Sequence, residues 1–473
     1  MSHLSRQPWL HWLRQLLPRL LRSLQASQVW LVCLALLVCL VSGCAMAPAT
    51  TSVSGTATPA DAGTLYFGAD GIYALRARDG KVRWHNDFNA QDGIGNGPPA
   101  LADGTLYVLL YDAPNDLAAL DAQTGQVRWR VRVPLVAPDV GLAGRLTVAD
   151  GVLYMGTSRP HGTRPSPPEG ALYALSTAEG QVLWRAPLTD SFLGLPVVAN
   201  GVVYLTVPAA GVPTLYALSA RDGHQLWRTV LTNVTGNLLG SSPAVSDGVV
   251  YVGTGYISGP QATKGALDAF RASDGHLLWH TTTDGWVGDT PVAADGMVYA
   301  TSAQQTVYAF DAGKGTLRWR SSLGTFQVPP GGATLAVAGG VVYAGRHAGG
   351  VFALDARNGT RRWLARPLDG PAGEVEGVVL TLLVAGETVY VGTQRISPFP
   401  LAMGATSSGV VHALNAGDEM RLLAYHSGLT PSFPQLLGGS DGAVYALNAG
   451  DGARLWTYHD QNDPPFSPLL LGP

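Results

Sequence analysis

Cysteine is almost absent from this chain of 473 residues: Cys33, Cys39 and Cys44 are the only three, and none follows Cys44. The body therefore has no disulfide, no thiol nucleophile, no thiolate metal site and no C-x-x-C-H for a haem. Charge is also scarce. Charged residues make up 13% of the chain and the formal net charge is −3, so the strongly basic face that nucleic-acid binding uses is missing. The body's histidines, among them His85, His161, His224, His276, His280, His347 and His412, fall into no H-E-x-x-H spacing. His224 and His276 sit at equivalent turn positions, which reads as exposed variation of a repeat. Ser241-Ser242 and Ser407-Ser408 lack the G-x-S-x-G elbow of a nucleophilic serine. Asp87-Phe88-Asn89-Ala90-Gln91-Asp92-Gly93 hints at a calcium loop, but Pro98 stands where the closing acidic ligand belongs. A solvated connector is the simpler reading. No nucleophile and no metal set emerges.

The N-terminus has the layout of a targeting segment. Arg6, Arg14, Arg19 and Arg22 form a long basic n-region, and Val29–Val41 an apolar h-region, short for a helix that must span a bilayer. Val41-Ser42-Gly43-Cys44 looks like a bacterial lipobox, which makes Cys44 the lipidated first residue of the mature chain. One alternative is an uncleaved anchor helix continuing through Ala45-Met46-Ala47. Another places the leucine-rich basic start, Leu10 to Leu21, on a membrane surface. With either a lipid or a helical anchor the body lies outside the cytoplasm. The expected division is a lipoprotein signal over 1–44, a flexible Thr/Ser/Ala/Pro tether over 45–62 and a single folded domain over 63–473.

Glycine, by contrast, is abundant at 59 residues, which suits many short strands joined by tight turns. The stretch Gly170–Arg185, G-A-L-Y-A-L-S-T-A-E-G-Q-V-L-W-R, predicts strands at Leu172–Ser176 and Gln181–Arg185 about a turn at Ala178-Glu179-Gly180. The unit recurs. Gly80, Gly125, Gly180, Gly223, Gly275, Gly315, Gly359 and Gly452 are each followed four residues later by tryptophan: Trp84, Trp129, Trp184, Trp227, Trp279, Trp319, Trp363 and Trp456. A ninth, degenerate copy has Glu419 and Leu423 in those places. Copies mostly lie about 40 to 60 residues apart, the period of four-stranded propeller blades.

Each Trp unit follows a second hairpin, turned by Asp103-Gly104, Asp150-Gly151, Asn200-Gly201, Asp247-Gly248, Asp295-Gly296 or Gly339-Gly340. Such dipeptides favour two-residue turns in which both residues take positive φ. Apolar runs before them, such as Pro243-Ala244-Val245 and Pro291-Val292-Ala293, predict the innermost strands. The fold expected is an all-β propeller of four-stranded antiparallel blades. Nine arm motifs allow nine blades, and eight is the count expected, with the unit Pro434–Tyr458 shortened. The first copy lacks an inner strand, and Phe466–Leu471 resembles an orphan one that would close the ring on it. The tryptophans are expected to be structural wedges between blades.

The repeat G-x-V-Y-x-G…Y-A-L-x-A-x-x-G-x-x-x-W resembles that of the pyrroloquinoline-quinone (PQQ) type propeller family, from Thr64 to Pro473. That resemblance implies one of two branches. Quinoprotein alcohol and glucose dehydrogenases bind the quinone and calcium, and are typified by an adjacent Cys-Cys pair that this body lacks. No Glu/Asn/Asp set aligns with their calcium ligands. The other branch comprises non-catalytic lipoproteins, such as the propeller subunit of the outer-membrane β-barrel assembly machinery, and related propellers serve as extracytoplasmic sensors.

Long connections between second and third strands are expected at Tyr111–Asp116, Ser158–Gly170, Val207–Pro213, Gly255–Gly265 and Gln394–Gly409, with short ones after Phe67, Ser302 and Gly345. Insertions of this kind build a binding face, or record tolerated drift in exposed loops. The leading expectation is a lipid-anchored scaffold propeller outside the cytoplasm that binds protein through the loop face or blade edges, without cofactor. Ala45 after the lipid cysteine would send it to the outer membrane of a two-membrane bacterium. The alternatives are a PQQ- and calcium-dependent alcohol or sugar dehydrogenase, and a sensor or carbohydrate-binding propeller with Phe88, Tyr111, Tyr256, Trp286 and Phe399 exposed to stack on sugars.

Overall fold

In the computed structural model the two-residue turns have the conformation their sequence demands. Asp103 and Gly104 have φ of 47° and 67°, Asp247 and Gly248 50° and 74°, and Asp295 and Gly296 51° and 72°. Both central residues at positive φ give the turn the twist of its flanking strands. The structure describes residues 63–68, 71–88, 99–110, 116–135, 141–158, 170–188, 195–209, 212–231, 238–256, 264–324, 333–346, 350–365, 378–394, 442–460 and 470–472. The chain divides into units 1–49 and 50–473, and all of these residues belong to the second. The targeting segment, tether and Cys44 lie outside the described residues, as do most of the long loops.

The strands form eight antiparallel sheets, which make an eight-bladed β-propeller. Blade two shows the pattern: Ala100–Ala102, Thr105–Leu110, Asp116–Asp121 and Val127–Arg132, from inner to outer strand. Blade three follows with Gly141–Ala149, Val152–Ser158, Gly170–Ser176 and Val182–Leu188. Blade five departs from it. Its inner strand is split into Leu238–Gly240 and Ala244–Ser246, both paired with Val249–Tyr256, because Ser241-Ser242-Pro243 interrupts the ladder. Proline cannot donate there. The Ser241 hydroxyl takes over in part, accepting from the Gly253 amide at 2.9 Å. Ring closure is as expected: Leu470–Gly472 pairs antiparallel with Thr64–Tyr66 of blade one.

No single core lies at the centre of the molecule. Apolar side chains pack in layers between neighbouring blades, as with Leu117, Ala119, Leu153 and Met155 between blades two and three. Leu65, Phe67, Tyr390 and Val444 form the layer between blades one and eight.

One contact repeats at every junction. The tryptophan of each blade lies over the turn glycine of the next: a Cβ on Gly125 would meet Trp84 at 2.5 Å, on Gly275 Trp227 at 2.5 Å, and on Gly80 Trp456 at 2.6 Å. Each of these glycines also has positive φ, between 66° and 77°. Each indole donates to the carbonyl three residues before that glycine. Trp84 reaches Ala122 at 3.0 Å, Trp279 Ala312 at 3.0 Å, and Trp456 Ala77 at 2.9 Å. A tyrosine of the second strand tilts against the tryptophan and shares the acceptor, as Tyr251 does with Ala312 at 3.2 Å.

Nine arm motifs in the sequence stand against eight sheets among the described residues. Gln394 pairs directly with Gly442, so residues 395–441 are an insertion between the second and third strands of blade eight. The degenerate copy, with Glu419 and Leu423, falls in that insertion and outside the described residues. The unit Pro434–Tyr458 is therefore no ninth blade; its Gly442–Asn448 and Arg454–Asp460 strands complete the eighth. Sterics favour this choice. Gly452 has φ of 77° and its Cβ would meet Trp363 at 2.7 Å, so the glutamate of the other copy would not fit its place.

Two stability outcomes follow. Trp319→Ala is expected to cost about 3–5 kcal/mol in denaturant unfolding, whereas Leu317→Ala, on the exposed end of the same strand, stays within about 0.5 kcal/mol. Gly452→Glu combines a left-handed non-glycine with a clash against Trp363, and an unfolding loss of about 2–4 kcal/mol is expected.

Candidate functional site

The loop face is built from connections between blades and between second and third strands. Its best-described part lies between blades five and six, where Asp284–Pro291 leads from the outer strand Leu277–Thr283 to the inner strand Val292–Ala294. The Asp284 carboxylate accepts from Ser302 Oγ and from Thr306 Oγ1, the latter at 2.8 Å. Its amide donates to Tyr308 Oη at 3.1 Å. Further along, the Val287 amide donates to Thr254 O and the Ala303 amide to Trp286 O. Gly253 and Gly255 permit this approach, since a Cβ on either would meet Val287 or Trp286 within 2.5 Å. The short connection of blade six thus clamps the segment that carries Trp286.

Trp286 is 7% exposed and Phe88 6% exposed. Neither is available to stack on a sugar, contrary to expectation: Trp286 packs into the interblade connection and Phe88 joins the layer between blades one and two. Tyr111 and Phe399 lie outside the described residues. Trp286 Nε1 and Asp289 Oδ2 are buried without a hydrogen-bond partner among the described residues. Buried polar atoms of this kind are ordinarily satisfied by water or a bound group.

Blade five carries a second departure from the repeat. Asp268, 2% exposed, occupies the place that tyrosine holds in blades three, four and six as Tyr173, Tyr216 and Tyr308. Its carboxylate holds His280 Nδ1 at 2.6 Å and lies 3.4 Å from Thr254 Oγ1. The hydrogen bond to Asp268 is the main reason the His280 pKa is raised above its ordinary value, with burial opposing. Among the described residues no group of three or more His, Cys, Asp or Glu side chains comes together to hold a metal.

The outer rim is guarded by charge on some blades only. Arg128 pairs with Asp121 at 2.7 Å, Arg318 with Asp311 at 2.6 Å, and Arg362 with Asp355 at 2.7 Å. The Arg128 hydrogen bond, with help from Thr124, lowers the Asp121 pKa to about 2. The Arg128 and Arg318 pairs are largely solvent-exposed and add little stability, whereas Asp355 of the third is buried.

The sequence placed all eight tryptophans, and the structure puts each at a blade junction rather than in a site. No described helix is long and apolar enough to cross a membrane. A family model described as outer membrane protein assembly factor BamB matches residues 27–164, 115–259 and 213–415, well over half of the sequence. The chain belongs to this family.

Among its relatives, BamB of Salmonella typhimurium is 27% identical over 255 residues, covering 50% of this chain and 59% of that protein. The serine/threonine-protein kinase AfsK of Streptomyces griseus is 30% identical over 296 residues, covering 54% of this chain and 34% of the kinase. The chain thus spans less than two thirds of the length of either. The crystal structure of BamB from Moraxella catarrhalis superposes with a TM-score of 0.51 at 16% identity, over 73% of this chain and 92% of that one. That likeness is one of fold.

The Asp268–His280 pair gives a pH-dependent outcome. An elevated folded pKa means that protonated His280 stabilises the fold below its unfolded pKa of about 6.5, a contribution lost as pH rises through the elevated value. NMR titration should place His280 above the ordinary histidine value of about 6.5, and Asp268→Asn should bring it down and flatten that part of the stability–pH curve. A titration unmoved by Asp268→Asn would contradict the assignment.

Proposed function

We propose that this protein is a membrane-anchored scaffold propeller outside the cytoplasm, held by a lipid on Cys44, that binds protein segments without catalysing a reaction. In a two-membrane host its work is in outer-membrane protein assembly. The observation that carries the reading is the family match over residues 27–415, which takes in most of the eight-bladed ring. Several relatives are named outer membrane protein assembly factors. The body supplies no cysteine pair to lie over a quinone, which weighs against the dehydrogenase branch. A uniform, rigid ring with uneven loops is well suited to presenting a binding face.

Two measurements test this. Metabolic labelling with a radioactive fatty acid should tag the wild-type chain and not Cys44→Ser. Photo-crosslinkers placed in the loops at 159–169 and 395–409 should capture defined protein adducts in intact cells, and loss of the gene should lower β-barrel proteins of the outer membrane. A chain that instead binds pyrroloquinoline quinone with calcium and turns over alcohols or aldoses in a dye-linked assay would overturn the scaffold reading.

A further inference from the structure

The repeat makes the outer rim directly comparable from blade to blade, and the comparison shows a gap in its charge guard. The outermost strand of each blade has one unpaired edge, and natural sheets blunt such edges with charge. On blades two, six and seven the residue before the tryptophan is arginine, and the residue ending the third strand is aspartate. These are the ion pairs Arg128–Asp121, Arg318–Asp311 and Arg362–Asp355.

On the consecutive blades three, four and five both positions change together. Leucine replaces the arginine as Leu183, Leu226 and Leu278, and the aspartate becomes Ser176, Ser219 and Arg271. Those leucines are 54%, 46% and 40% exposed. Blade eight has the same swap, with Leu455 and Asn448, but its neighbours in the ring do not.

Alternation places more on the same side of these strands. Blade four, whose outer strand is Gln225–Val230, presents Leu226, Arg228 and Val230, and Val230 is 45% exposed. Blade three presents Leu183 and Arg185. Arg185 and Arg228 are exposed and have no carboxylate partner among the described residues, whereas Arg130 and Arg132 of blade two both hold Asp116, at 2.9 and 3.0 Å. On blades three and four the edge is therefore apolar at one residue and, at the next but one, cationic with no carboxylate partner among the described residues; blade five keeps an Arg271–Asp274 pair at 2.8 Å.

We propose that the outer edge of blade four, flanked by those of blades three and five, receives an extended protein segment that carries apolar and acidic side chains in turn along one face, at every second residue. This deepens the scaffold reading and rests on it. The segment adds as a further strand, its amides and carbonyls pairing with the free edge. Its apolar side chains cover Leu226 and Val230, and its carboxylates meet Arg228. A basic segment is repelled at Arg228, and the edge of blade two is closed to acidic segments because Arg128, Arg130 and Arg132 are already paired.

The test uses the full chain in detergent and short fluorescent peptides that carry valine and glutamate, or valine and lysine, in turn at every second residue with threonine between them, followed by anisotropy. The valine–glutamate peptide should bind saturably, and about tenfold more weakly to Leu226→Lys, the change expected from losing roughly 1.4 kcal/mol of apolar contact. Val127→Lys, on blade two, should bind it like the wild type. Arg228→Glu should reverse the preference toward the lysine peptide, an outcome that a merely misfolded variant would not give. Absence of saturable binding, equal binding of both peptides, or equal loss in Val127→Lys would overturn the proposal. Because no native partner is needed, cellular crosslinks confined to the loop face, with no peptide binding, would sink the rim site and leave the scaffold reading standing.

Discussion

Everything in this ring depends on an indole resting on a glycine of the next blade. The tryptophan needs a flat, Cβ-free surface, and the arm turn needs a residue at positive φ. Glycine meets both demands at one position. The indole N–H then finds the carbonyl of the alanine, or of Thr177, three residues earlier, so burying the ring leaves no orphaned donor. Because Trp456 completes the set on Gly80 across the chain ends, closure is made by side chains as well as by the terminal strand. Neither element of the pair is useful alone, which is why Gly and Trp recur at a fixed spacing rather than merely in similar numbers.

That coupling also explains which parts of the molecule were legible in the sequence. Turn dipeptides, strand order, ring closure and the role of the arm motif are all set by local chemistry repeated many times, so each copy corroborated the others. The blade count was harder. Nine arms are present, and only the steric demand at Gly452 shows why a copy with Glu419 and Leu423 is a poor candidate for the ring. Where a feature occurs once, repetition gives no help. The burial of Trp286 and Phe88 and the clamp on Asp284 each depend on neighbours in other strands, and the split inner strand at Ser241–Pro243 on a proline that only blade five carries within that strand, none of which periodicity can reveal. Asp268 did leave a signal, a carboxylate in a column of tyrosines, but its partner His280 becomes visible only when the strands are in register.

Function in such a scaffold belongs to the departures from the repeat. Positions that satisfy the Trp–Gly junction are held alike in every blade and therefore distinguish none of them. The surfaces that differ are the connections on the loop face, the Asp268–His280 pair, and the outer edges. At the rim the acid and the arginine are both replaced on three neighbouring blades and on blade eight, whereas blade one keeps Arg83 with Arg76 in place of the acid.

The loss of the pair also has a physical direction. Removing an exposed ion pair changes stability little, yet it removes the charge that keeps a free strand edge from pairing with other chains. Three adjacent edges carry leucine in place of the arginine; blade five keeps an Arg271–Asp274 pair, while Arg185 and Arg228 of the other two have no carboxylate partner among the described residues. An edge that was simply unguarded would pair with any extended chain, including copies of itself. Arg185 and Arg228 oppose self-pairing through like charge and favour acidic segments, so the same residues that would recruit a partner also restrict which one is accepted.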